Sequence, residues 1–578
     1  MRRASTTRRT SRTSTRIAPP PTRRRWRRSL PPAPPIRKAL LPAAVVGGAA
    51  TLVWLTLPSV WSGPLNVDEE LTIRVADFSF GHIFHIVSTE RGGGPLHFWL
   101  EHFLLGWSHT LPALRLPSLV LLCLALPAVA LIARRLLGGD EPASAVVLLA
   151  AVSPIPVLYA TFGRPHTLLF AWLMWSTVLL LKAADEQSTR LWVAAGAALG
   201  LSVLVHPTAP LYALTAFGAG LLYAPGTIRG RIHTAWPGSV ALLVTLLPYY
   251  VKTLHVLSDR YGVGEGGKTG RTFDGRPVWV DALHYVAPGS HNLNWFSLLA
   301  IAGVVVLLLR RAYRVLAFCA ATVIVPVLFF SFVPANGDSA LFFDRYMIPA
   351  IPAFLVVVVA GIFGIASLAG PARLVVAAVV VAGLFTIELR RDLHHRHATQ
   401  AIGVGTVVRA VGHEPAGTVL FGSTGTSGAN FSAFDYGHPA NVLDRLISLR
   451  VHALDYVDDD SCIRVEPFLH GPQAPRYGLW VFYAATPGEA TAGERALGVA
   501  PVDGHYFVVR SKTPLAPRAL VREGLRLRTA WKQAVPLNAR VDELLASDRQ
   551  LLAGRCVPYG ILDDPDISPH WPPVKQRQ

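Results

Sequence analysis

The chain has 578 residues, of which 51% are hydrophobic and only 16% charged, and its formal net charge is +18. Soluble proteins carry about a quarter charged residues, so this composition excludes an ordinary soluble enzyme and favours a core embedded in a bilayer. The net charge does not indicate nucleic-acid binding, because thirteen Lys and Arg residues and no acid are concentrated in residues 1–38.

Residues 1–38 form a basic tail that is rich in Ser, Thr and Pro. This composition cannot build a packed core, so we expect a disordered cytoplasmic segment that fixes the orientation of the chain and attracts anionic lipid. The apolar run at residues 39–57 is longer than the core of a signal peptide and lacks a clear cleavage site of small residues. It is therefore predicted to be the first transmembrane helix.

Eleven apolar runs of roughly spanning length follow one another along the chain. They occupy residues 39–57, 113–133, 143–160, 165–181, 191–206, 208–224, 235–251, 294–309, 315–333, 346–368 and 372–388. With a cytoplasmic N-terminus, basic residues occur at every inner turn and most acids at the outer turns, as the positive-inside rule requires. We predict an α-helical polytopic protein of the plasma membrane with about eleven transmembrane helices in a domain of residues 39–390.

The segment of residues 95–111 is apolar but contains His97, Glu101 and two Trp residues. Counting it as a span would turn the basic loops that follow to the outer side. This composition is typical of a helix that lies in the membrane interface. We therefore expect residues 61–112 to form one long outer loop with interfacial helices.

Residues 391–578 change character, because alternating apolar stretches are separated there by turns rich in Gly, Pro and Asp. This pattern predicts a C-terminal α/β domain, and an odd number of spans makes it extracytoplasmic. In such a compartment Cys462 and Cys556 could form a disulfide or remain free thiols.

The sequence contains no P-loop, HExxH or GxSxG motif, so candidate chemistry rests on polar residues at the outer helix ends. Asp68 and Glu69 come shortly after the first apolar run. Adjacent carboxylates there could act as a general base or bind a divalent cation. They could equally form a solvated acidic turn.

Two arginines lie at predicted outer helix ends, each with a ring residue beside it. Arg164 is followed by His166, and Arg345 is followed by Tyr346. Arginine at such positions could clamp a phosphate. The alternatives are a snorkelling interfacial arginine at the first position and a local ion pair beside an aromatic belt residue at the second.

The long segment of residues 252–292 contains Arg260 and a Gly-rich run. It could be a flexible lid over a site or an uninvolved connection. Sequence alone leaves both open.

The order of these features along residues 40–390 resembles the GT-C superfamily of membrane glycosyltransferases. It is most similar to the branch that contains the protein O-mannosyltransferases and the lipid A aminoarabinose transferase. The matching features are the acids after the first span, Gly-Gly-Gly-Pro95, the Arg115 segment, the Ser153-Pro stretch ending in Arg164-Pro-His166, and Asp344-Arg345-Tyr346-Met-Ile-Pro349.

The resemblance implies a sugar donor carried on a polyprenyl phosphate and used at the outer face without a nucleotide. By the same resemblance, Asp68, with Glu69 beside it, deprotonates an acceptor hydroxyl. Arg164 and Arg345 neutralise the departing phosphate. His166 and Tyr346, next to these arginines, are expected in the same phosphate site.

The chain departs from the family's pattern at three places. His166 replaces the usual Tyr, Phe162-Gly163 replaces Glu-Ala, and Gly93-Gly94-Pro95 replaces a charged or His-Pro segment. Glu90 or His97 could substitute for the polar residue missing there. Together with Arg260, they are the expected further contacts to donor or acceptor.

We therefore predict an inverting hexosyl- or pentosyltransferase that acts on an extracytoplasmic glycan, lipid or protein. The donor sugar, the acceptor and any need for a divalent cation stay open. Two rival functions are a transporter or flippase of lipid-linked sugars and a receptor or scaffold. Transporters usually carry ionisable groups at the bilayer midplane and internal repeats, and neither feature is evident in the sequence.

Overall fold

A computed structural model describes residues 35–62, 67–91, 93–108, 110–261, 277, 279–280, 295–332, 344–401, 418–421, 477–484, 486–502, 506–535, 545, 549 and 552. Residues 1–34 of the basic tail and the cysteines Cys462 and Cys556 lie outside the described residues. Within them the chain is mainly helical as far as residue 401 and mixed α/β beyond it.

The N-terminal part contains one long helix, three short helices and a second long helix. Their bounds are α1 (Pro35–Ser62), α2 (Val67–Ala76), α3 (Phe80–Ile86), α4 (Pro95–Trp107) and α5 (Leu111–Leu137), with a π-helical turn at Val87–Arg91. Helix α5 has a clear start, because the Thr110 hydroxyl accepts a hydrogen bond from the Ala113 amide. It ends at Gly138, whose positive φ of 79° closes the last turn.

Six helices follow with short connections. They are α6 (Asp140–Ala151), α7 (Pro154–Tyr159), α8 (His166–Glu186), α9 (Thr189–Leu201, continued by a 3₁₀ turn at Ser202–Leu204), α10 (Ala209–Tyr223) and α11 (Ile228–Tyr261). The run at 143–160, predicted as one span, is broken between α6 and α7. Pro154 lacks the amide hydrogen that a continuous helix would need, and it starts α7 instead.

The last helices of this part are α12 (Trp295–Leu309), α13 (Tyr313–Phe332), α14 (Ile351–Ala366) and α15 (Arg373–Ala401), with 3₁₀ segments at Asp344–Ala350 and Ser367–Ala372. All eleven predicted apolar runs are thus mainly helical. Six helical segments of the described residues are long and apolar enough to cross a membrane, and α9, α10 and α12 are shorter apolar helices. A multi-pass membrane protein is confirmed, whereas the count of eleven spans is not.

Two helix pairs approach so closely that only glycine fits between them. A Cβ atom on Gly196 of α9 would lie 2.0 Å from the carbonyl oxygen of Gly238 in α11. A Cβ on Gly303 of α12 would lie 1.9 Å from the carbonyl oxygen of Val357 in α14. Small residues allow this approach between helices in a membrane. One continuous apolar core extends from α1 through α5–α10 to α12–α15.

The C-terminal region has a small three-stranded sheet and two helices: β1 (Thr418–Phe421), β2 (Tyr477–Tyr483), α16 (Pro487–Leu497), β3 (Tyr506–Arg510) and α17 (Pro517–Ala534). Strand β2 is central, parallel to β1 and antiparallel to β3. The hydrophobic core of this region includes Trp480, Phe482, Phe507 and Trp531. These α and β elements agree with the α/β fold predicted for this region. Helix α15 continues past residue 390, the predicted end of the transmembrane domain.

Candidate active site

A buried ion pair joins α2 to the start of α5. Glu69 on α2 is fully buried, and its Oε1 and Oε2 accept hydrogen bonds from Nε and Nη2 of Arg115 at 2.8 and 2.7 Å. Nη1 of Arg115 also donates to the Ser59 carbonyl of α1 at 2.9 Å. This bidentate geometry is the strongest form of the interaction. It ties α1, α2 and α5 together.

The turn between α7 and α8 is held from two sides at Gly163. Its amide donates to Oε1 of Glu69 at 2.8 Å, and its carbonyl lies 3.2 Å from Nε2 of His97 on α4. A Cβ at this position would lie 2.3 Å from Cγ of Leu114. Glycine is therefore required here by close packing, which explains why this residue replaces the family's alanine.

Arg164 follows Gly163 directly and points toward α2. Its side chain is half-buried, and Nη1 donates to the Thr72 hydroxyl at 3.4 Å. Thr72 lies one turn after Asp68 on the same helix. The structure thus brings the first predicted phosphate-binding arginine to the helix that carries the predicted catalytic acids.

Arg345 lies beside a cluster of aromatic and imidazole rings near the α7–α8 turn. The imidazoles of His166 and His206 lie 5.0 Å apart between centroids, and the Tyr346 ring lies 6.2 and 5.7 Å from them. The Arg345 guanidinium lies 5.8 Å from the centroid of the Tyr346 ring. We call His166, His206, Arg345 and Tyr346 the ring cluster. Residues far apart in the sequence are therefore neighbours here.

The ring cluster is fixed by the packing around Tyr346. Its ring stacks on Phe330 of α13 at 5.5 Å between centroids, and its carbonyl accepts a hydrogen bond from the Tyr212 hydroxyl of α10. Arg164 and Arg345 both lie close enough to the buried His206 imidazole for their charges to act on it. The charges of both arginines thus act on one imidazole.

His97 and Glu101 form a second buried polar group, on one face of α4. They are one helical turn apart, both are buried, and Nδ1 of His97 lies 3.9 Å from Oε1 of Glu101. Burial, and after it the positive charge of Arg164, lowers the pKa of His97 to about 3, although its contact with Gly163 acts in the opposite direction. Burial and the negative charge of Glu69 raise the pKa of Glu101 well above its ordinary value.

The remaining predicted site residues are located only by their backbone. Asp68 lies in the first turn of α2, next to Glu69, and Glu90 lies in the π-helical turn. Arg260 lies in the last turn of α11, so residues 252–261, predicted to begin a loop, are helical. The side chains of these three residues lie outside the described part of the chain.

Sequence analysis did not assign functional roles to Arg115, Thr72, His206 or Glu101. Arg115 contributed to the ordered motifs, but its partner Glu69 is 46 residues away and no local pattern connects them. The signal for Glu101 was stronger, since a carboxylate within an apolar helix is costly unless it has a function. Among the described residues, no group of three His, Cys, Asp or Glu side chains could hold a metal ion.

Comparison with known proteins agrees with the motif order. Residues 93–251, from Gly93 into α11, match the family model described as dolichyl-phosphate-mannose-protein mannosyltransferase. No curated protein sequence matches the chain. This segment includes His97, Glu101, Arg115 and Arg164, but not Arg345.

Two solved structures are similar to the chain as a whole. They are crystal structures of ArnT from Cupriavidus metallidurans, one in the apo state and one bound to undecaprenyl phosphate, with 16% and 17% sequence identity. Each comparison covers 81% of this chain and 97% of the other, with a TM-score of 0.49. The chain is a multi-pass membrane protein whose residues 93–251 resemble the dolichyl-phosphate-mannose-protein mannosyltransferases of the GT-C superfamily.

Proposed function

We propose that this protein transfers a sugar from a polyprenyl-phosphate donor to an extracytoplasmic acceptor, with inversion at the anomeric carbon. The observation that carries the proposal is the convergence of Arg164 and Arg345 around His206, beside the helix that holds Asp68. A phosphodiester donor needs such a pair of cations, because its phosphate gains negative charge as the sugar leaves.

In the proposed reaction, the acceptor hydroxyl oxygen attacks the anomeric carbon on the face opposite the phosphate. The bond between the anomeric carbon and the phosphate oxygen breaks, and its electron pair leaves with the polyprenyl phosphate. Asp68 takes the hydroxyl proton as general base. Arg164 and Arg345 balance the charge on the leaving phosphate, and His166 and Tyr346 line the same site.

Glu69 has a different part in this proposal from the catalytic one expected from sequence. Both of its oxygens are engaged by Arg115, and Oε1 also accepts from the Gly163 amide. A carboxylate whose two oxygens accept these hydrogen bonds is committed to a structural contact. We assign Glu69 to holding α2, and hence Asp68, against Arg164.

The orientation proposed for the chain is a cytoplasmic N-terminus and an outer face that carries the site and residues 391–578. Basic residues at the opposite helix ends support it, including Arg134 and Arg135 at the end of α5. Glu90, His97 and Arg260 are proposed as further contacts. Of these, Arg260 at the end of α11 suits an acceptor, whereas His97 acts through Gly163.

The experiment is a transfer assay on the purified protein in liposomes, with a panel of radiolabelled polyprenyl-phosphate sugars. Label on an added acceptor and label on lipid in the opposite leaflet are measured separately. Release of polyprenyl phosphate with acceptor labelling supports the proposal. Movement of intact lipid-linked sugar between leaflets, without cleavage, would instead indicate the transporter function.

Variants of the assigned residues test their roles in the same assay. Asp68→Asn and Arg164→Ala should both lose transfer. Glu186→Gln, at the exposed last residue of α8, should keep it, because that residue lies at the opposite end of the helix from His166. Loss of activity in all three variants would point to general instability and would not support the assigned roles.

A further inference from the structure

Glu101 is a carboxyl group at a buried position, where ionisation costs free energy. It is fully buried on α4, and neither of its oxygens has a hydrogen-bond partner among the described residues. An isolated buried carboxylate loses its hydration without compensation, so it becomes neutral unless a cation or several donors stabilise it. On the same helix, Nδ1 of the His97 imidazole lies 3.9 Å from its Oε1.

His97 contacts the Gly163 carbonyl on the side of its ring away from Glu101. This contact decides which ring nitrogen carries the hydrogen. Nε2 lies 3.2 Å from the Gly163 carbonyl. A carbonyl oxygen can only accept, so Nε2 must be the protonated nitrogen. In a neutral imidazole this leaves Nδ1 as a lone-pair acceptor on the side of Glu101. A protonated carboxyl group is the form of Glu101 that complements that acceptor.

We propose that Glu101 is kept as a neutral carboxylic acid and acts through His97 as a positioning residue for Arg164, the donor-phosphate arginine. The inference rests on the function proposed above. The Gly163 carbonyl, which His97 contacts, belongs to the same peptide group as the Arg164 amide. His97 thus fixes the direction in which the backbone enters Arg164, and Glu101 faces the unprotonated Nδ1 of His97 at 3.9 Å.

The charges around α4 support the neutral form. Arg115 balances the charge of Glu69, and the charges of Arg164 and Arg345 act on the neighbouring His206 imidazole. An ionised Glu101 would repel Glu69 and weaken the positive potential at Arg164, because charges interact strongly in a poorly screened protein interior. The pKa of Glu101, raised by burial and by Glu69, agrees with this balance.

The first test needs no enzymatic activity. Infrared difference spectra between Glu101→Gln and wild-type protein at neutral pH should show loss of a protonated carboxylic-acid band that shifts in deuterium oxide. The matched control, Glu186→Gln at an exposed site, should show no such band. A difference spectrum in which Glu101→Gln removes only a carboxylate band would overturn the proposal.

The second test separates positioning from packing. Glu101→Gln keeps a neutral polar group of the same shape facing Nδ1 and should retain transfer within about twofold. Glu101→Leu should reduce it about ten- to a hundredfold, the scale expected when a reacting geometry is displaced by about an ångström. In an Arg164→Ala background the same Leu substitution should cost less than about twofold, because it acts through the arginine.

Several outcomes would contradict the proposal. Equal activity of Glu101→Leu and wild type would do so, as would losses from Glu101→Leu and Arg164→Ala that simply multiply. If Glu101→Leu does not fold, Glu101→Met and the Gln variant carry the comparison, with thermal unfolding of each variant measured in parallel. A wild-type protein inactive on every donor would refute the proposed function, while the infrared experiment would still decide the state of Glu101.

Discussion

The amide of Gly163 donates a hydrogen bond of 2.8 Å to Oε1 of Glu69, which lies 94 residues earlier in the chain. Through this bond the helix that carries Asp68 is held against the residue that precedes Arg164. The proposed base and one proposed phosphate ligand are therefore positioned by the same buried contact, and several predictions depend on it.

Breaking the Glu69–Arg115 pair from one side should destabilise the protein. Replacing Glu69 with Ala leaves Arg115 buried without its counter-charge, which typically costs about 3–5 kcal/mol. We expect a clear fall in the thermal unfolding midpoint together with loss of transfer. Glu186→Ala, at an exposed site, is the control and should unfold like wild type. An unchanged midpoint for Glu69→Ala would contradict this prediction.

A single methyl group at position 163 should disturb the site. In Gly163→Ala the new Cβ would lie 2.3 Å from Cγ of Leu114, and such overpacking typically costs about 1–3 kcal/mol. We expect reduced transfer, measured as kcat/KM for the lipid donor. Gly218→Ala on α10, where a Cβ meets nothing within 4 Å, is the matched control. Equal kinetics for the two variants would show that the α7–α8 turn tolerates displacement.

The proposed general base makes a direct prediction. Asp68→Asn should lower kcat by about 10²–10⁴-fold, the usual contribution of acid–base catalysis, with expression and unfolding unchanged. Asp77→Asn, at an exposed position just after α2, should retain activity. Wild-type turnover in the Asp68 variant would remove this residue from catalysis and leave the solvated acidic turn as its explanation.

The two arginines should act as one phosphate-binding unit. Lysine keeps the charge but loses the planar fork, so Arg164→Lys and Arg345→Lys should retain partial activity while either Ala variant is severely impaired. The double Ala variant should be little worse than the worse single variant, because residues that act as a unit are not additive. Steady-state kinetics of the five variants tests this. Independent, multiplicative losses would mean that the arginines serve separate sites.

The orientation of the chain can be tested without activity. A reporter fused after Arg231, in the first turn of α11, should read cytoplasmic. A reporter fused after Gly471, in the C-terminal region, should read extracytoplasmic. The expected result follows from the basic residues at the inner helix ends. Reports from the same side of the membrane would require a different number of spans.

The helices of the membrane part were predictable because apolar length is a strong local signal. The break at Pro154 was not predicted, since residues 143–160 were expected to form one span and other helices of this chain contain prolines without a break. The pairing of Glu69 with Arg115 was not predictable. Nothing in the local pattern of either residue indicates a partner 46 positions away, and only the packing of α2 on α5 creates the contact.

The residues of the candidate site were likewise only partly predictable from the sequence. The ordered motifs identified Arg164 and Arg345 as related, and the structure brings both to the His206 imidazole. His206 was not among the candidate residues from the sequence, since a single histidine before a proline carries no pattern. Glu101 was visible as an acid in an apolar helix, but its relationship to Gly163 depends on the packing of α4 against the α7–α8 turn.

Helix α11 sets the distance between the start of α4 and Arg260 along the helix axis. The Tyr249 hydroxyl donates to the Gly93 carbonyl at 2.7 Å, which fixes one level of α11 beside the start of α4. Arg260 follows eleven residues later in the same helix, and eleven residues rise about 16 Å along a helix axis. Arg260 therefore stands about three turns farther along α11 than that level. A ligand that contacted both levels would have to extend about 16 Å along α11.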